Sequence, residues 1–138
     1  MAIGGPQAKV LEISSEEEWN LTIKDSKSSD CIFVIDVYKD WAGPCLVMNF
    51  FFDQLVLNEV KIDERVKFRS ANQEIVADQI LSLLPKWSNV NIHTKGCCPL
   101  FLFIQHGEIV AEVSGCDSPE VIRQIMEYIP EIPKDVQE

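Results

Sequence analysis

Residues 41–45 are Trp-Ala-Gly-Pro-Cys, a pattern whose residue types and spacing point to thiol chemistry. A Cys-Gly-Pro-Cys tetrapeptide at the start of a helix exchanges disulfides, because the helix N-terminus stabilises its first thiol as a thiolate and its second thiol resolves the mixed disulfide. Here the first position is Ala42, which has no sulfur, and Cys45 occupies the second. The motif therefore has the spacing of a dithiol exchanger without the attacking group.

The other cysteines and the histidines do not form a second recognisable motif. Their spacing fits neither a disulfide framework nor a zinc site, so we expect no metal and no cofactor. An odd total of five cysteines favours a reducing cytosolic environment. Cys97 and Cys98 are adjacent, and a disulfide between neighbours closes a strained ring. The remaining residues of these two types are Cys31, Cys116, His93 and His106.

The composition excludes several classes of function. The chain has 138 residues, of which 46% are hydrophobic and 25% charged, and this suits one globular domain with a hydrophobic core. Its net charge of -10 repels phosphate backbones and anionic lipids, so we expect no nucleic-acid or membrane partner and favour basic protein partners. The N-terminus lacks the pattern of a signal peptide, and no Gly-rich phosphate-binding loop is present.

The first half of the chain alternates strand and helix patterns. Ser14–Glu18 combine a helix cap with acids in the first turn, after a short strand pattern over 9–13. Residues 31–38 are nearly all β-branched or aromatic, which is typical of a strand buried on both faces. Pro44 suits the first turn of a helix that continues through Leu57. The last predicted elements of this half are a strand over 65–71 and a helix over 72–84.

The second half is predicted to end in a hairpin and a helix. Asp117, Pro119 and Glu120 supply a cap residue, a first-turn proline and an acid. The predicted elements are strands over 100–104 and 109–113, a tight turn at His106–Glu108 between them, and a helix from Asp117 to about Tyr128. The resulting order, β-α-β-α-β-α-β-β-α, predicts an α/β fold with a central mixed sheet and helices on both faces.

Several separated residues, together with this order of elements, resemble thioredoxin. Asp36 lies six residues before Ala42, where thioredoxins carry a buried aspartate that assists proton transfer. The other matches are Trp41 before the tetrapeptide, Gly43-Pro44-Cys45 within it, Pro99 at the family's cis-proline, His106–Glu108 at its hairpin turn, and Gly115 before the last helix. The resemblance implies the thioredoxin fold over residues 9–130, with 1–8 as a flexible lead-in and 131–138 as a C-terminal tail.

Within this superfamily, three segments are similar to the thioredoxin-like light chains of ciliary outer-arm dynein. They are Asp-Val-Tyr-Lys-Asp-Trp at 36–41, Pro-Leu-Phe-Leu-Phe at 99–103 and Val-Ser-Gly-Cys-Asp-Ser-Pro at 113–119. Two departures from thioredoxin stand out. Leu46 replaces the lysine that often follows the second cysteine, and residues 85–96 are a predicted insertion that a partner could recognise.

The resemblance also implies a shallow apolar groove, in which thioredoxins dock extended peptides by strand addition. Binding of this kind needs no sulfur, so the groove can persist where the nucleophile is lost. The residues expected to form it are Trp41, Gly43, Pro44, Cys98, Pro99 and Gly115. The consecutive phenylalanines 50–52 cover more than one helix face, so we expect two of them in the core and one at a contact surface.

Without a thiol at position 42, we expect no catalytic residue in the motif. Cys45 is then interpreted as a small buried hydrophobe that remains from a redox ancestor, and Asp36 as a vestigial, partly desolvated acid with a raised pKa. In the thioredoxin fold the residue before the cis-proline faces the redox motif. This leaves open a thiol pair between Cys45 and Cys98.

The resemblance implies a redox-inactive, non-enzymatic subunit that binds proteins. It would be a light chain of axonemal outer-arm dynein, located in the cytoplasm and cytoskeleton of the ciliary or flagellar axoneme, with a dynein heavy chain or docking subunits as partners. The net charge of -10 argues against direct contact with acidic tubulin. Two alternatives remain open: a cytosolic monothiol thiol-disulfide oxidoreductase that uses Cys45 or Cys98, and an active thioredoxin in which position 42 was engineered to alanine.

Overall fold

The computed structural model describes residues 7–82 and 99–132. Within these two ranges the chain forms five strands and four α-helices in the order that the sequence predicts. The elements are β1 (Val10–Ile13), α1 (Glu16–Lys27), β2 (Ile32–Tyr38), α2 (Leu46–Asn58), β3 (Val66–Asn72), α3 (Gln73–Leu81), β4 (Leu100–Gln105), β5 (Glu108–Ser114) and α4 (Ser118–Tyr128). Among the residues described, no helix is both long and apolar enough to cross a membrane.

The strands form one mixed sheet in the order β1-β3-β2-β4-β5. β1, β3 and β2 are parallel, whereas β4 is antiparallel to both of its neighbours, β2 and β5. Two successive reversals leave β5 parallel to β2. The carboxyl ends of β2 and β5 therefore lie at the same edge of the sheet, and so do the loops that follow them.

Side chains alternate between two separate cores because successive residues of a strand face opposite sides of the sheet. On β2, Phe33, Ile35 and Val37 pack in a cluster with residues of α1 and α3. Ile32 and Val34 pack in the other cluster, with residues of α2 and α4. The predicted α/β fold with helices on both faces of a mixed sheet is thus confirmed.

The hairpin turn and two of the helix starts follow local sequence signals. Ser15 caps α1 by accepting from the Glu18 amide at 3.1 Å, and Asp117 caps α4 by accepting from the Glu120 amide at 3.3 Å. His106 and Gly107 form a two-residue turn in which both φ angles are positive, as this type of hairpin requires. These three predictions are confirmed.

The start of α2 differs from the prediction. The helix begins at Leu46, and Cys45 precedes it in an extended conformation as the N-cap residue. Pro44 therefore lies before the helix, so its predicted place in the first turn is wrong. The physical reason lies in the sheet: the Cys45 amide donates to the Asp36 carboxylate on β2 at 2.7 Å, which holds this residue out of the helix. α3 is also shorter than predicted, ending at Leu81.

Candidate functional site

The loop between β2 and α2 carries the 41–45 motif. The amides of Ala42 and Gly43 both donate to the Lys39 carbonyl, at 2.9 and 3.1 Å, and Gly43 has a φ of 74°. That left-handed conformation favours glycine over residues with a side chain. Ala42 is exposed at the tip of this turn. The loop therefore presents position 42 to solvent, where a methyl group stands in place of a thiol.

Asp36 is a buried acid directly beneath this loop. It is 4% exposed, and its Oδ2 accepts the Cys45 amide, whereas its buried Oδ1 has no hydrogen-bond partner among the described residues. Burial raises the pKa of Asp36 to about 6, against the lowering effect of the Cys45 hydrogen bond, and the charge of Glu12 raises it further. The raised pKa that the sequence predicts is confirmed.

A neutral residue stands next to Asp36 on the neighbouring strand. In the register of β2 and β3, Asp36 lies opposite Ser70, and the Ser70 hydroxyl donates to Glu12 at 2.7 Å. The adjacent Arg69 lies on the other face of the sheet, with its guanidinium 5.6 Å from the centre of the Phe33 ring. The position that faces Asp36 on β3 is thus a serine rather than a cation.

Cys45 is placed differently from the sequence interpretation. We expected a thiol buried within the helix, but Cys45 is only half-buried and forms the N-cap of α2. Its Sγ lies 3.6 Å from the Sγ of Cys116, and both are free thiols. Cys45 packs partly against the core cluster that includes residues of α2 and α4, and its sulfur also faces the thiol of Cys116, so the expected full burial is corrected to half-burial and its inertness stays a prediction.

Cys116 is the site residue that sequence reasoning missed. It lies in the loop between β5 and α4, which meets the motif loop because β2 and β5 end at the same edge of the sheet. Although the residue is exposed overall, partial burial of its thiol, the hydrogen bond with Cys45 and the charges of Cys45, Asp36 and Asp117 raise its pKa to about 11. The sequence did contain a signal for this contact, since Cys116 lies two residues after the end of β5.

The predicted groove residues fall into three groups. Trp41 and Pro44 are exposed, and Gly43 and Gly115 are partly exposed around the two thiols. Pro99 is buried, and its carbonyl accepts the Gly115 amide at 2.7 Å, which ties β4 to the loop after β5. The predictions for Cys97, Cys98, His93 and the insertion at 85–96 lie outside the described residues. The Cys45–Cys98 pair and the cis-peptide bond before Pro99 therefore stay predictions.

Exposed apolar side chains extend from the motif along α2. Leu46, Val47 and Phe50 on α2 are 76%, 62% and 59% exposed, and Trp41 in the preceding loop is 70% exposed. We call these four residues together the outer face of α2. By contrast, Phe52 is buried in the core and Phe51 packs partly against it. One phenylalanine is thus in the core, one is half-buried against it and Phe50 is exposed, so the prediction is confirmed in part, and a contact role for Phe50 stays a prediction. Such a group of exposed apolar side chains is unusual at a free helix surface, since soluble helices place mainly polar residues outward.

Other chemistry is not assembled near the motif. Within 7–82 and 99–132, no three side chains of His, Cys, Asp or Glu lie close enough to hold a metal ion together. His106 sits in the hairpin turn with its Nε2 3.9 Å from an Asp30 oxygen. A cavity of about 570 Å³ opens beside the 3-10 turn that precedes β3, lined partly by Glu59, Lys61 and Lys67. None of the residues 36–45 or 115–117 lines that cavity.

The sheet order and the motif loop define the class of protein. The crystal structure of thioredoxin NaTrxh from Nicotiana alata matches with a TM-score of 0.65, covering 94% of this chain and 100% of that one at 20% identity. No protein-family model matches the chain. The chain therefore has the thioredoxin fold.

Two relatives refine this assignment. The chain is 25% identical over 120 residues to the 14 kDa light chain of flagellar outer-arm dynein from Chlamydomonas reinhardtii. The matched region covers 87% of this chain and 81% of that light chain. It is 36% identical over 98 residues to thioredoxin domain-containing protein 3 of Rattus norvegicus, which covers 71% of this chain. The matched region spans only 15% of that longer protein.

Proposed function

We propose that this chain is a protein-binding subunit of an axonemal outer-arm dynein complex, redox-inactive in the sense that its 41–45 motif runs no dithiol cycle. The observation that carries the proposal is a thioredoxin fold whose motif has Ala42 at the attacking position and is continued by the apolar outer face of α2. Without a thiol at position 42 the usual dithiol cycle through the motif cannot run. Contiguous exposed apolar side chains are typical of protein interaction sites.

The dynein assignment is supported by the Chlamydomonas light chain, because the match extends over most of that protein's length. The Chlamydomonas light chain belongs to the flagellar outer arm, and the match covers 81% of it. By that relationship the chain would reside in the axoneme and bind a dynein heavy chain or a docking subunit. Trp41, Gly43, Pro44 and Gly115, with Cys98 and Pro99 as predicted neighbours, would form the part of the docking site nearest the motif.

Charge sets the chemistry of the partner segment. The chain carries a net charge of -10, so a basic segment is attracted to it and acidic tubulin is repelled. Charge complementarity raises the association rate, while apolar anchors in the centre of an interface limit dissociation. A partner segment that presents apolar residues flanked by lysine or arginine fits both properties.

The test is recovery of dynein with the full-length chain. A tagged chain expressed in flagellated cells should enter axonemes, and outer-arm heavy chains should be recovered with it from axonemal extracts. Phe50→Ser should reduce that recovery at least tenfold, because a central aromatic anchor contributes about 2 kcal/mol or more to binding. The matched control is Leu21→Ser on α1, since Leu21 is 58% exposed, nearly as much as Phe50, but lies on a helix that packs on the opposite face of the sheet. Recovery without dynein chains, or equal losses in both variants, would contradict the proposal.

A monothiol oxidoreductase is the alternative, and one observation favours it. Cys45 is only half-buried at the N-cap of α2, and a second free thiol, that of Cys116, lies beside it. Reduction of insulin disulfides with a thioredoxin-regenerating system separates the two functions. The binding subunit should show no turnover above background. Turnover that disappears in Cys45→Ser or Cys98→Ser would establish the enzyme instead.

A further inference from the structure

We propose that Cys45 and Cys116 form a redox-active thiol pair that closes to an intrachain disulfide by exchange with a small disulfide. The pair goes beyond the proposed binding function, because it uses a thiol outside the 41–45 motif. In that motif the partner of Cys45 would stand at position 42; here Cys116, 71 residues further along the chain, supplies the second sulfur.

Geometry allows the bond to form. The two Sγ atoms lie 3.6 Å apart, and a disulfide requires about 2.05 Å, so they must approach by about 1.5 Å. Neither residue is inside a helix or strand: Cys45 is the N-cap of α2, and Cys116 lies between β5 and α4. Rotation of the two side chains and small loop shifts can therefore supply the approach without breaking a regular element.

Access to solvent favours exchange at this site. Cys116 is exposed and Cys45 is half-buried, whereas the free thiol of Cys31 is buried. Position 42, beside Cys45 in the motif, carries only an exposed methyl group. A small disulfide such as oxidised glutathione can thus reach the pair from solvent, and it supplies the oxidising equivalent.

The environment assigns different roles to the two sulfurs. The raised pKa of Cys116 disfavours its thiolate, so Cys45 is the sulfur that attacks the disulfide. This forms a Cys45–glutathione mixed disulfide and releases one glutathione thiolate. Cys116 then attacks the Cys45 sulfur, the protein disulfide forms and the second glutathione thiolate leaves. Two protein thiols are oxidised, one disulfide is reduced to two thiols, and the two thiol protons pass to the glutathione thiolates.

The state of Cys45 affects how readily Cys116 ionises and attacks in the second step. Both the hydrogen bond and the charge of Cys45 contribute to raising the pKa of Cys116. Once Cys45 is held in the mixed disulfide its sulfur carries no charge, so the charge contribution vanishes. Cys116 then ionises more readily at the stage at which it must attack.

The experiment uses the full chain, equilibrated with oxidised glutathione, alkylated rapidly and mapped by mass spectrometry of its peptides. We expect a peptide pair cross-linked through Cys45 and Cys116, the loss of two free thiols per chain, and full recovery of both on addition of reduced glutathione in excess. Cys116→Ser should accumulate the Cys45–glutathione adduct, because the resolving thiol is absent. Cys45→Ser should leave Cys116 mostly unmodified at neutral pH.

Two controls keep the interpretation specific. Cys98→Ser should form the same cross-link as the unmodified chain, and far-ultraviolet circular dichroism should show that each variant retains its fold. A disulfide between Cys45 and Cys98, or stable glutathione adducts on Cys45 with Cys116 still present, would overturn the proposal. Loss of dynein binding would contradict the proposed function but would leave this outcome unchanged, so the two can fail separately.

Discussion

At the scale of single residues, Asp36 is an acidic side chain buried away from water. A carboxylate away from water is costly unless hydrogen bonds compensate for the lost hydration. Within residues 7–82 and 99–132 only one of its oxygens is compensated, by the Cys45 amide, and the residue opposite on β3 is the neutral Ser70. The raised pKa of Asp36 reflects this free-energy cost, which lowers the stability of the folded chain when the carboxylate is ionised.

We expect Asp36→Asn to stabilise the chain at neutral pH. The folded pKa of about 6 lies above the ordinary value of 3.8, so ionisation of Asp36 lowers stability progressively between about pH 4 and pH 6. The loss is complete above pH 6 and is relieved as the pH falls towards 4. The asparagine oxygen can still accept the Cys45 amide without carrying charge. At pH 7 the gain should reach up to about 3 kcal/mol and should shrink between pH 6 and 4.

Urea denaturation at several pH values measures this effect. Asp78→Asn is the control, because Asp78 is an exposed acid on α3. That variant should differ little from the unmodified chain at any pH in the series. A chain destabilised by Asp36→Asn at pH 7 would mean that the carboxylate makes a favourable interaction in the folded state.

The second residue-scale prediction concerns the two thiols. Cys45→Ala removes the hydrogen bond and the charge that help to raise the pKa of Cys116, although Asp36 and Asp117 still act on it. Alkylation of Cys116 by iodoacetamide should therefore be several-fold faster in this variant at pH 8, because the thiolate is the reactive form. Leu46→Ala serves as the neighbouring control. An unchanged rate would show that the sulfurs do not influence each other.

At the scale of elements, local signals predicted most of the fold and distant contacts account for the errors. β2 was recognisable from its continuous β-branched and aromatic residues, and α1 and α4 from their cap residues. The start of α2 could not be recognised in this way, because it depends on a contact within the folded chain. The Asp36 carboxylate, nine residues earlier, accepts the Cys45 amide and keeps Cys45 out of the helix. Cys116 was missed for a similar reason: its contact with Cys45 exists only once the sheet has assembled.

Neighbouring phenylalanines of α2 should differ sharply in their effect on stability. Phe52 is buried against Phe68 and Phe101, with ring centres 4.4 and 6.4 Å away, so Phe52→Ala should cost about 3–5 kcal/mol. Phe50 is 59% exposed, and Phe50→Ala should change the free energy of unfolding by less than about 0.5 kcal/mol. Urea denaturation of both variants provides the comparison. A large loss from Phe50→Ala would place that ring in the core rather than at a contact surface.

At the scale of the whole molecule, charge and apolar surface act on binding in different ways. The net charge of -10 acts over roughly a Debye length, about 10 Å at moderate salt, and therefore draws a basic partner towards the chain. The outer face of α2 acts only at contact. The two contributions should separate in a titration with salt.

Binding of the proposed dynein partner should weaken as ionic strength rises, by about tenfold between low and high salt, mainly through slower association. Phe50→Ser should instead speed dissociation by a similar factor at every salt concentration. Surface plasmon resonance with the isolated heavy-chain segment measures both rates. Affinity that is independent of salt would contradict a basic partner segment.

The outer face of α2 also bears on how the chain is kept at the right level in a cell. Trp41, Leu46, Val47 and Phe50 are in contact with water in the free chain and would be covered only after assembly. Chaperones and degradation pathways recognise exposed apolar surface of this kind. Copies made in excess of the partner would therefore be removed, and the supply of the partner, rather than the rate of synthesis, would set how much of this subunit accumulates.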